Sequence, residues 1–134
     1  MNRKTARENA FILLFELTSK KDETAEEIFD KATNLRELAV NDFAKSVYFG
    51  AASNFTVIDE CIGKSLVGWK SSRLSTVSKA ILRLAVYELM FLPDIPAKVS
   101  INEAIELSKK YDDDKAYMLI NGVLNAAAEV LGVK

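Results

Sequence analysis

Seven basic residues pose the first chemical question. Arg3, Lys4 and Arg7 fall within the first seven positions. Lys70, Arg73, Lys79 and Arg83 fall in a stretch from Trp69 to Tyr87 that contains no Asp or Glu. Lys and Arg on a shared face neutralise phosphates and release their counterions, which gives salt-dependent binding of nucleic acid. The whole chain has a formal charge of −1, so a polyanion would have to be held by such local patches. A helix start carries partial positive charge and mildly disfavours cations, so stability alone does not account for the basic N-terminus.

Residue types that do covalent chemistry are scarce. The sequence has no histidine and one cysteine, Cys61. That excludes Ser–His–Asp and Cys–His catalysis, an ordinary zinc site and an intrachain disulfide. No glycine-rich phosphate loop or dinucleotide fingerprint occurs, and nothing implies an enzyme, a metal or a cofactor. Glu88 stands in an apolar stripe, where a carboxylate must find a partner or take up a proton; it reads as a structural contact. The acidic run Asp112–Asp114 reads as a helix cap and lacks the glycine and closing glutamate of a calcium loop. Cys61 sits in a mixed apolar segment and reads as packing.

The elements that must position the basic residues are helical. Three Ser/Thr-x-x-Glu capping boxes, Thr5 with Glu8, Thr24 with Glu27 and Ser100 with Glu103, mark helix starts; Asn41 and Asp112 or Asp113 are further caps. The pattern predicts helices near 5–18, 24–34, 41–54, 56–68, 75–92, 100–111 and 114–131. In the fifth, Leu74, Val77, Ile81, Leu84, Ala85, Glu88 and Leu92 share one face, with Lys79 and Arg83 opposite. "LPDIP" holds both prolines and breaks the chain before the sixth. No run alternates as a strand would. At 134 residues, 49% of them apolar, the expectation is one all-α domain over 1–134, of about seven helices. "AFILLF" is too short for a signal-peptide core and no stretch approaches the ~18 apolar residues of a membrane span, so a soluble, cytoplasmic protein is expected.

Three stretches together resemble one family. "TAREN" at 5–9, "KAILRLAVYELMFLPDIPAKVSINEAIELSKKY" at 79–111 and "INGVLN" at 120–125, in that order and spacing, resemble the NusB family of bacterial transcription antitermination factors. The resemblance implies an all-α fold of two small packed bundles, with no enzymatic activity and no cofactor. It implies binding of boxA RNA as a heterodimer with NusE, a ribosomal small-subunit protein, and entry into the RNA polymerase antitermination complex, chiefly in ribosomal RNA synthesis. It places RNA contacts on Arg3, Lys4 and Arg7, and on the segment before NGVL, here Met118 and Leu119. With the patch reading, Lys79 and Arg83 join them. It places the NusE-facing surface on Phe15, Ser72 and Ser78, where family members often carry carboxylates in the fifth helix.

Two alternatives share the fold. A similar domain precedes the catalytic domain of ribosomal RNA cytosine methyltransferases, and a protein-interaction module could keep the helices without the RNA surface. An apolar helix face could also pair in a homodimer. In all of these readings Thr5 opens the first helix, so Arg3 and Lys4 ride on a flexible arm while Arg7 projects from an ordered turn.

Overall fold

The structure, a computed structural model, describes residues 1–20, 22–66, 68 and 74–133. Among them are seven α-helices and no strand: α1 (Arg3–Ser19), α2 (Ala25–Asn34), α3 (Asp42–Ser53), α4 (Phe55–Ser65), α5 (Thr76–Phe91), α6 (Ala97–Tyr111) and α7 (Ala116–Leu131). Helix starts obey the polar caps. The Thr24 hydroxyl accepts from the Glu27 N–H while the Glu27 carboxylate accepts from the Thr24 N–H. Asn41 accepts from the Ala44 N–H and Ser75 from the Ser78 N–H, each satisfying a donor that the helix leaves orphaned. Pro96 precedes α6, and Gly132, at φ 68°, closes α7 in the left-handed region that favours glycine.

Two of the three expected capping boxes are replaced by other contacts. Asn2, not Thr5, caps α1 by accepting the Thr5 N–H at 2.8 Å. The helix therefore begins at Arg3, and Arg3 and Lys4 lie in its first turn rather than on a flexible arm. Helix α6 begins three residues before Ser100, whose hydroxyl instead donates to Glu88 Oε1 at 2.9 Å. The acidic run also does different work. The Asp112 carboxylate accepts the hydroxyls of Ser75 and Ser78, tying the start of α5 to the end of α6, while Lys115 occupies the N-cap position of α7.

Helix α5 is the centre of the molecule. It packs against α1, α3, α4, α6 and α7, and a helix surrounded on all sides must be apolar all round. Ala80, Ile81, Leu82, Leu84, Ala85 and Val86 are all buried. Helices α1–α3 gather on one side of it and α4–α7 on the other, as two small bundles that share one continuous core. Tyr48 lies in that core, its hydroxyl donating to the Ala25 carbonyl at 2.8 Å. A tight approach of helices occurs at Gly50 on α3: a Cβ there would lie 2.3 Å from the Tyr87 hydroxyl on α5.

Candidate nucleic-acid interface

The structure divides the basic residues into scaffold and surface. Arg7 is scaffold. Its guanidinium grips Glu88 with Nε to Oε2 at 2.7 Å and Nη2 to Oε1 at 2.9 Å, and Nη1 lies 3.7 Å from Glu103. Arg7 is 3% exposed and Glu88 1%. With Ser100 also donating to Glu88, this network pins α1, α5 and α6 together. Arg7 thus does not project toward RNA, because its donors are spent inside the fold. Glu88 has the partner that the sequence required of it.

Arg83 is the second scaffold cation. It makes a bidentate pair with Asp59 on α4, at 2.9 and 2.8 Å, donates to Thr18 on α1 and lies 3.9 Å from the centre of the Phe55 ring. It is 9% exposed. The apolar stripe of α5 placed it on the free side of the helix, but α1 and α4 cover that side. Lys79 is exposed and in no ion pair among the described residues. Lys70 and Arg73 lie outside the described residues, as does Ser72.

The surface cations converge at one end of the molecule, where the start of α1 meets the end of α6 and the start of α7. Arg3 and Lys4 are exposed there, with Arg3 stacked 4.1 Å above the Phe43 ring. Lys4 shares a cleft of about 360 Å³ with Glu8, Glu106, Lys109 and Lys110. Glu8 accepts from both Lys110 and the Tyr111 hydroxyl. The hydrogen bond from the Lys110 ammonium, then that from Tyr111, holds the Glu8 carboxyl below the usual carboxylate range. Lys109 sits 5.1 Å from the centre of the Tyr117 ring, and the next residue, Met118, is 51% exposed. Leu119 is half-buried against the core. Cations interleaved with an accessible ring are what a single-stranded nucleic acid needs: charge for the phosphates and a flat apolar face for a base.

Sequence reasoning missed Lys109, Lys110 and Tyr117. Their signal was present in "SKKYDDDKAY", where lysines alternate with tyrosines, but the three aspartates pointed to capping. The expected partner-facing residues separate. Phe15 is half-buried on α1, its ring 6.3 Å from that of Phe11. Ser78 is only 2% exposed, with its hydroxyl committed to Asp112. Ser78 therefore cannot itself present a surface; the group at that point of α5 with charge to offer is the Asp112 carboxylate. Cys61 is buried, and desolvation pushes its thiol above the ordinary range, in keeping with a packing role. No cluster of metal-ligating side chains occurs among the described residues, and no helix there is long and apolar enough to cross a membrane.

An all-α scaffold with a basic, tyrosine-bearing end describes a class of non-catalytic nucleic-acid-binding proteins. The NusB family model matches residues 4–129, and the chain belongs to that family. Relatives include the transcription antitermination protein NusB of Clostridium botulinum, 44% identical over 129 residues, covering 93% of this chain and 96% of the relative. The NusB of Bacillus subtilis is 43% identical over 125 residues, covering 93% of each. These relatives are transcription factors, not enzymes. Among solved structures, T. maritima NusB superposes with a TM-score of 0.83 at 34% identity, over 96% of this chain and 92% of that one. A crystal structure of the antitermination factors NusB and NusE in complex with double-stranded RNA gives a TM-score of 0.82 at 32% identity, over 96% of both chains.

Proposed function

We propose that this chain is an antitermination factor that binds boxA RNA together with NusE, and that the complex joins RNA polymerase during ribosomal RNA synthesis. The observation that carries the reading is the convergence of Arg3, Lys4, Lys109 and Lys115 with the Tyr117 ring and Met118 at one end of the molecule, in a family with a solved member bound to NusE and RNA. In this reading the lysines and Arg3 neutralise phosphates, Tyr117 stacks a base, and Lys79 extends the basic surface on α5. NusE docks beside Phe15 and the start of α5. Asp112 supplies there the carboxylate that Ser72 and Ser78 lack.

A three-component mobility-shift assay with a boxA oligonucleotide, NusE and this protein tests the reading. A ternary complex is expected. Three to four phosphate contacts to a single strand predict that log K falls against log salt with a slope of about −2 to −3. Replacing Arg3, Lys4 and Lys109 with alanine should weaken RNA binding and leave NusE binding intact. Absence of a ternary complex, or an affinity indifferent to salt, would favour the protein-interaction module instead.

A further inference from the structure

A second groove lies at the other end of α6, between its first turns and the middle of α7. It encloses about 590 Å³ and is lined by Lys98, Asn102, Asn121 and Asn125 over Ile101 and Ala128. Lys98 stands in the first turn of α6 and Lys109 in its last. At 1.5 Å per residue they are about 16 Å apart along the helix, so the groove is separate from the basic end.

Its polar groups are unusual in kind. Asn125 Nδ2 donates to the Asn121 carbonyl at 2.8 Å and to Asn121 Oδ1 at 2.9 Å. That bond fixes both amides and leaves Asn125 Oδ1 as a free acceptor and Asn121 Nδ2 as a free donor. Asn102 is exposed, and its amide has no partner among the described residues. A side-chain amide offers one acceptor and two donors in a plane, the complement of a peptide bond. Four residues of helix rise about 6 Å, close to the roughly 6.6–6.8 Å between alternate residues of an extended chain. Asn121 and Asn125 are therefore spaced to meet successive main-chain amides on one side of an extended segment.

We propose that this groove binds an extended, acidic peptide segment of a partner protein. The asparagines hold its main chain, Lys98 pairs with an Asp or Glu side chain, and an apolar side chain rests over Ile101 and Ala128. Among the described residues Lys98 is the only ionised side chain lining the groove, which sets the sign of the partner's charge. The same lining contains no aromatic ring and no second cation, so a nucleic-acid strand would find neither stacking nor phosphate neutralisation there.

The test uses a displayed library of linear 12-residue peptides panned on the full chain, with counter-selection on an Asn121→Ala/Asn125→Ala variant. Enriched peptides should carry an Asp or Glu and bind the double variant about tenfold more weakly, the loss expected of one or two hydrogen bonds. Lys98→Glu should abolish binding of the acidic peptides and select basic ones. All of these side chains are exposed, and unchanged melting curves confirm that each variant folds. If the double variant melts early, the charge preference of Lys98→Glu decides the matter alone. The proposal fails if no peptide is enriched, if enriched peptides bind wild type and variants equally, or if a 12-nucleotide adenine-rich RNA displaces them.

Discussion

Replacing Arg7 with alanine is expected to unfold the protein more readily rather than merely weaken an RNA contact. The Arg7–Glu88 pair has two hydrogen bonds under 3.0 Å, a third donor in Ser100 and almost no solvent access. Removing one partner of such a pair strands the other charge, at a cost of about 3–5 kcal/mol. A domain of this size is stable by about 5–15 kcal/mol, so the loss is a large fraction. With an unfolding entropy of about 2.1 cal/mol/K per residue, 134 residues give roughly 0.28 kcal/mol/K, and the melting temperature should drop by about 11–18 °C. Glu88→Ala should do the same. The double replacement Arg7→Met/Glu88→Met removes both charges at once and should recover most of the loss, because buried pairs are often matched by apolar residues of similar volume. Arg3→Ala and Lys4→Ala, both at the surface, should leave the melting temperature unchanged. Differential scanning calorimetry on the five variants, with boxA binding measured in parallel, separates the roles. If Arg7→Ala melts within about 2 °C of wild type yet loses RNA affinity, Arg7 is a clamp and the scaffold assignment is wrong.

Particular contacts set three further outcomes. Gly50→Ala should destabilise the fold by about 1–3 kcal/mol, since its Cβ would overlap the Tyr87 hydroxyl held between α3 and α5; chemical denaturation of the single variant, and its relief by Tyr87→Phe, would check this. Asp112→Ala should cost about 1–2 kcal/mol through loss of the two serine hydrogen bonds, and α5 amides near Ser75 should exchange faster with deuterium while those of α7 do not. Glu8 titrates below its ordinary value when folded, so its contribution to stability is complete above about pH 4.5 and is lost as the pH falls through the lowered native value. Melting temperatures of wild type and Glu8→Gln should differ at pH 7 and converge near pH 3; a gap that persists at pH 3 would show that Glu8 acts by packing instead.

Helix number and type were legible in the sequence because they depend on local chemistry. Prolines, asparagine caps and the Thr24–Glu27 box act within a turn of themselves, and the expected spans fall within a few residues of the observed ones. The polar side chains that failed expectation did so through partners elsewhere. Ser100 has the spacing of a cap, but its hydroxyl serves Glu88, and Thr5 gives way to Asn2. Asp112 has the position of a cap for α7, yet it receives two hydroxyls from residues 34 and 37 positions earlier. Periodicity identified the most apolar face of α5 but could not show that α1 and α4 close over its other face, and so it misplaced Arg83.

The same limit explains why the basic N-terminus was ambiguous. Charge count treats Arg3, Lys4 and Arg7 alike, but a helix turns about 100° per residue, so positions 3 and 7 of one helix share a face while burial along that face is set by what packs on it. Here α5 and α6 meet α1 one turn in, enclosing Arg7 beside Glu88 and leaving Arg3 and Lys4 at the open end. The cations withdrawn into the core are replaced at the surface by Lys109 and Lys115, which come from distant segments and bring Tyr117 with them. A basic end of this construction depends on the α1–α6 junction being intact. Perturbing Glu88, which touches no surface, should therefore weaken RNA binding as the junction loosens, whereas Lys109→Ala should weaken it with the junction whole.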